Sequence, residues 1–141
     1  MKEEYGIALS GGAVRGIAHL GALKALEEAG VYPDVVSGIS AGSIVGALYA
    51  DGFAPDEIFE MFSKKGFYRF VKFGIPQGGL MQLGGLIQTL RDNLRHQDFE
   101  QLEKPFFVGA TRLDTGELEY FQKGDISSAV EASCSVPGLF Q

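Results

Sequence analysis

The chain has 141 residues, a formal net charge of −6, and 45% hydrophobic against 21% charged residues. That is enough for one folded domain with a real core, residues 1–141, but not for two, and the acidity argues against nucleic acid as a partner. A single cysteine, Cys134, excludes an intramolecular disulfide, and no stretch approaches 18 uninterrupted apolar residues.

Met1–Tyr5 lacks the basic region and apolar run of a secretory signal, which together with the lone cysteine makes a cytoplasmic location the expectation. Tyr5–Ser10 reads as a short strand. It runs into Gly11-Gly12-Ala13-Val14-Arg15-Gly16, and then into a helix whose apolar positions Ile17, Leu20, Leu23 and Leu26 recur every third residue, with Gly30 as its stop. Pro33–Ser37 has the β-branched, apolar character of a buried parallel strand. Gly38-Ile39-Ser40-Ala41-Gly42 follows, and Ser43–Ala50 is small and apolar, as in a helix packed on a sheet.

Further along, Pro55-Asp56-Glu57 opens a helix that runs to about Ser63, with proline and acids in its first turn. Lys64 to Leu83 reads as a long irregular connection that mixes Lys64, Lys65, Arg69 and Lys72 with Phe67, Tyr68, Phe70 and Phe73. Such a mixture suits peripheral contact with a lipid surface, or a packed aromatic core with a cationic rim. Leu86, Ile87, Leu90 and Leu94 form a core-facing helical stripe. Phe106–Arg112 and Glu117–Gln122 read as a hairpin turning at Asp114, and Asp125 as the N-cap of a last short helix reaching Ser133. This order predicts an α/β fold with a largely parallel sheet flanked by helices.

Two turns carry chemistry. A serine between strand and helix is held in a strained backbone with its hydroxyl above the sheet, and Gly38 and Gly42 let the two elements approach. The glycine turn upstream frees consecutive amides to converge on an oxyanion or a phosphate, with Arg15 adding positive charge. The nucleotide alternative is weak, because Ala13 stands where Gly-x-Gly-x-x-Gly needs its second glycine and no Gly-Lys-Ser/Thr follows. No cysteine–histidine cluster has metal-ligand spacing, and no metal or other cofactor is expected.

Gly11-Gly12-x-x-Arg15-Gly16, Gly38-Ile39-Ser40-Ala41-Gly42-Ser43 and Ala132-Ser133-Cys134-Ser135-Val136-Pro137-Gly138-Leu139-Phe140, in that order, resemble the patatin-like phospholipase family. The resemblance spans residues 5 to 141 and implies a three-layer α/β/α sandwich. It also implies a serine lipid acyl hydrolase of phospholipase A or esterase type acting on lipid or acyl-ester substrates. By resemblance Ser40 is the nucleophile, Gly38 and Gly42 flank it in a nucleophile elbow, and Gly11, Gly12, Ala13 and Arg15 form the oxyanion hole. Ala13 replaces the third glycine of the family's triplet, which suits a turn with negative φ at that residue. A non-catalytic lipid-binding scaffold and an acyltransferase of the same fold are the alternatives.

The family works with a Ser–Asp dyad whose aspartate lies in an Asp-Gly-Gly or Asp-Gly-Ala turn, and this sequence contains neither. The aspartate is therefore expected beyond Gln141, in a longer protein, and the 141-residue chain alone is expected to be inactive. Asp114 and Asp125 read as turn and cap, Asp34 and Asp51 as solvated surface, His19 as a hydrogen-bonded helix residue and His96 as a helix-end cation. Oligomeric state is not legible from the residues.

Overall fold

The computed structural model describes residues 4–64 and 79–135. Four strands, β1 (Gly6–Leu9), β2 (Val35–Gly38), β3 (Phe106–Thr111) and β4 (Leu118–Phe121), form one sheet in the order β1-β2-β3-β4. The first two pairings are parallel and the third is antiparallel, closed by a hairpin loop in which Gly116 takes a φ of 75°. The helices are α1 (Ala18–Glu28), α2 (Ala41–Ala50), α3 (Pro55–Lys64), α4 (Gly79–Asn93) and α5 (Ile126–Cys134).

Both parallel crossovers step the same way across the sheet. Right-handed connections therefore place their helices on one face. Burial agrees: Leu9, Val36, Phe106 and Val108 are buried beneath α2 and α5, whereas on the other face Ala8 is exposed and Leu118 and Tyr120 are 49% and 58% exposed. The α/β class and largely parallel sheet are as the sequence suggests. The third layer of the sandwich is not among the described residues.

Helix α2 is buried from Gly42 to Ala50 because it lies across β1, β2 and β3. Its small side chains permit that contact: a Cβ on Gly46 would stand 2.7 Å from the Phe106 ring, which itself stacks on Phe99 at 5.8 Å. In α1, Leu20 and Leu23 face the core and Gly30, at φ 78°, ends the helix. Ile17 departs from the expected stripe. It closes a 3-10 turn, Ala13–Ile17, before α1 begins, and is 42% exposed.

Three further expectations are corrected. Residues 79–83, read as part of an irregular connection, belong to the start of α4; residues 65–78 of that stretch lie outside the described residues. Asp51, read as solvated, is fully buried at the end of α2. Its carboxylate accepts from the Arg95 amide at 2.6 Å and pairs with His96 Nδ1 at 2.7 Å. His96 thus lies beyond the end of α4, where it pins the following loop to α2 rather than complementing a helix dipole. Among the described residues, no helix is long and apolar enough to cross a membrane.

Candidate functional site

The turn between β2 and α2 places Ser40 at φ 52° and ψ −123°, a region that non-glycine residues occupy at a cost of about 1–3 kcal/mol. Local geometry compels it. A Cβ on Gly38 would strike the Gly42 backbone, and one on Gly42 would fall on the Leu9 carbonyl, so strand and helix meet closer than side chains allow. The Ser43 hydroxyl, fully buried, donates to the Ser40 carbonyl at 2.6 Å, and the Ser43 amide donates to the same oxygen at 2.8 Å. The Ser40 amide donates to Ser133 Oγ at 2.8 Å.

Facing this serine is the glycine turn. A Cβ on Gly11 would lie 3.4 Å from Ser40 Cβ and 3.9 Å from its Oγ. Residues Gly11 to Arg15 are exposed, and among the described residues no acceptor engages the amides of Gly11, Gly12 or Ala13. The Arg15 amide is spent inside the turn, on Gly12 O at 2.9 Å. Ala13 has φ 48°, against the negative φ its residue type suggests, so the third place of the triplet does demand a left-handed backbone. The imidazole of His19 donates through Nε2 to Ser10 O at 2.8 Å, just ahead of the turn; the carbonyl can only accept, which fixes the proton on that nitrogen.

Cys134 is buried beside the serines. Desolvation pushes its thiol up to about 11, against the opposing hydrogen bonds of Ser43 and Ser40. A thiol so disfavoured as an anion is a packing group. An apolar cleft opens next to Ala13 and Ala41, walled by Ile17, Val45 and Phe62.

The structure thus brings Ser40, Gly11, Gly38 and Gly42 together, with Gly12, Ala13 and Arg15 on the same turn as Gly11. Among the described residues, four aspartates weighed as a base stand elsewhere or have other partners. Asp34 accepts from the Tyr5 amide at the opposite end of β2. Asp51 lies a full helix from Ser40, about 16 Å of rise. Asp114 is held below the usual carboxylate range by Arg112 in the exposed hairpin loop. Asp125 loses solvation, which alone would raise it, yet Ser128 and Arg91 hold it below the usual range as it caps α5, as its position suggests. Two contributors were not singled out from the residues: the hydroxyls of Ser43 and Ser133. Their only signals were a serine directly after Gly42 and the Ser-Cys-Ser run near the end.

A family model described as patatin-like phospholipase matches residues 7–141. The chain belongs to the patatin-like phospholipase family. It is 31% identical over 136 residues to an NTE family protein of Mycobacterium tuberculosis, covering 94% of this chain and 38% of that one. It is also 31% identical over 152 residues to lysophospholipase nte1 of Aspergillus fumigatus, covering 95% of this chain and 9% of that one. This family member therefore spans well under half the length of these relatives. Among solved structures, VipD from Legionella pneumophila superposes with a TM-score of 0.70 at 19% identity, over 99% of this chain and 44% of that one. ExoU from Pseudomonas aeruginosa, solved in complex with SpcU, gives 0.67 at 19% identity, over 95% and 38%. At that identity the two structures establish a shared fold.

Proposed function

We propose that this chain carries the nucleophile and oxyanion hole of a serine lipid acyl hydrolase of phospholipase A or esterase type. The observation that supports it best is Ser40 in a strained backbone at the head of α2, facing a turn in which, among the described residues, no acceptor engages the amides of Gly11, Gly12 or Ala13. Ser40 Oγ attacks the ester carbonyl and gives up its proton to a carboxylate. The carbonyl oxygen becomes an oxyanion received by the amides of Gly11, Gly12 and Ala13, with the Ala41 amide and Arg15 in support; one such donor is worth about 2.7–4 kcal/mol in the transition state. The C–O bond then breaks and the alcohol departs with the proton. An acyl-enzyme remains, and water releases the fatty acid. Ile17, Val45 and Phe62 offer an apolar wall for the acyl chain.

The accepting carboxylate is the aspartate of a Ser–Asp dyad, supplied by sequence outside residues 1–141. The positions of four aspartates support this reading: Asp34, Asp51, Asp114 and Asp125 are each tied to another partner. Peripheral contact with a lipid surface through residues 64–83 remains part of the proposal.

The test is fluorophosphonate labelling of the full-length protein, with Ser40→Ala as the paired variant. Labelling of the wild type and its complete loss in Ser40→Ala is the expected outcome. Equal labelling of both would end the proposal.

A further inference from the structure

The third motif, Ala132-Ser133-Cys134, has no part in the chemistry just described, yet its serine reaches the centre of the site. Ser133 stands in the last turn of α5, 93 residues from Ser40 in sequence. Its Oγ accepts the Ser40 amide at 2.8 Å and donates to the Gly109 carbonyl of β3 at 2.6 Å. An amide can only donate and a carbonyl can only accept, so the single hydroxyl proton is committed to Gly109. Both roles are then fixed and both partners are satisfied.

That link sets more than a contact. The Ser40 amide lies in the peptide plane whose rotation defines the φ of 52°, so anchoring it anchors the strained conformation. It also turns the amide towards β3 and away from the glycine turn, leaving the next amide, that of Ala41, as the one the helix start offers to an anion. The same stretch of β3 braces the neighbouring residue: a Cβ on Gly109 would lie 3.1 Å from Ile39 Cγ1. Strand β3 and helix α5 therefore grip the turn from the side opposite Gly11.

We propose that Ser133 is a positioning residue for the nucleophile: it locks the Ser40 peptide through paired hydrogen bonds to the Ser40 amide and the Gly109 carbonyl. The inference rests on the hydrolase reading. Without the hydroxyl, the Ser40 peptide keeps its ties to α2 but loses the one that holds its amide, and Oγ is held less firmly in the line of attack.

The experiment measures fluorophosphonate labelling rate, kcat and KM for a soluble ester on the full-length protein and its variants, with thermal melting alongside. Ser133→Ala is expected to lower kcat and the labelling rate together by about 10- to 100-fold, with KM within about threefold of wild type, as for a misplaced reacting group. Ser133→Thr keeps the hydroxyl and is expected to recover most of the lost kcat. A role in stability alone would lower the melting temperature and leave kcat per active site unchanged. Should Ser133→Ala not fold, Ser133→Cys decides: its weaker, longer bonds are expected to lower kcat about tenfold.

Wild-type kcat and labelling in Ser133→Ala, or in Ser133→Cys if that variant is the one measured, overturn the positioning role. So does a Ser133→Thr variant as slow as Ser133→Ala. If the wild type does not label, or Ser40→Ala still does, the hydrolase reading itself has failed and this inference falls with it.

Discussion

Ser40 and the glycine turn facing it are held in different ways. Ser40 sits on a turn whose flanking glycines press backbone against backbone, and its peptide groups are fastened by Ser43 within α2 and by Ser133 from α5. The stretch from Gly11 to Arg15 is exposed; its ties include the Arg15 amide on Gly12 O and the Ala18 amide on Arg15 O, with the His19 imidazole on Ser10 O just ahead of it. A nucleophile must hold one angle of attack. Donors for an oxyanion need exposed amides at a surface that substrate can reach. The contrast teaches that the strain at the serine is overdetermined by several elements, while the turn opposite, strained at Ala13, is left open.

The same substitution made on both sides measures that contrast most directly. Gly42→Ala drives a methyl group onto the Leu9 carbonyl, and it is expected to cost about 3 kcal/mol of stability. Gly11→Ala meets only ordinary van der Waals contacts at 3.4 Å and more, and is expected to shift stability by no more than about 0.5 kcal/mol. Urea denaturation of the two variants checks both. Comparable losses would mean the turn is as tightly built as the serine's side.

A smaller effect is expected where the turn has its side-chain tie. His19→Ala removes the donor to Ser10 O. It is expected to destabilise the protein by about 1 kcal/mol and, on the hydrolase proposal, to slow fluorophosphonate labelling by about three- to tenfold, since the proposed donors lose their register. His19→Gln, which can present an N–H to the same carbonyl, is expected to regain part of the rate. Labelling at the wild-type rate in His19→Ala would show that the turn holds its shape without the imidazole.

What could be read from the residues, and what could not, follows the same division between local and distant causes. The strand–turn–helix around Ser40, the hairpin at Asp114 and the cap at Asp125 are set by neighbours within a few positions, so spacing and residue type sufficed. Asp51 was misread because its burial depends on the Arg95 amide and His96, 44 and 45 residues on, and nothing near Asp51 announces them. Ser133 could be seen as part of a motif but not as the partner of a peptide 93 residues away. Ser43 looked like a small spacer in an apolar helix, because a hydroxyl that bonds back to the preceding turn leaves no pattern in sequence.

Ala13 is the gentlest test of the contrast, because it sets strain against unfolded-state freedom at a single residue. Its φ of 48° costs an alanine about 1 kcal/mol that glycine does not incur. Glycine, however, gives the unfolded chain more conformations to lose, a penalty of about 0.4–1 kcal/mol. The two terms oppose each other, so Ala13→Gly is expected to leave stability within about 0.5 kcal/mol of wild type in urea denaturation, and labelling within about twofold. A loss well beyond that would mean the methyl group itself packs in the apolar cleft it borders with Ala41 and Phe62. The turn would then owe its shape to side-chain contact, and the open half of the site would be less open than its exposure implies.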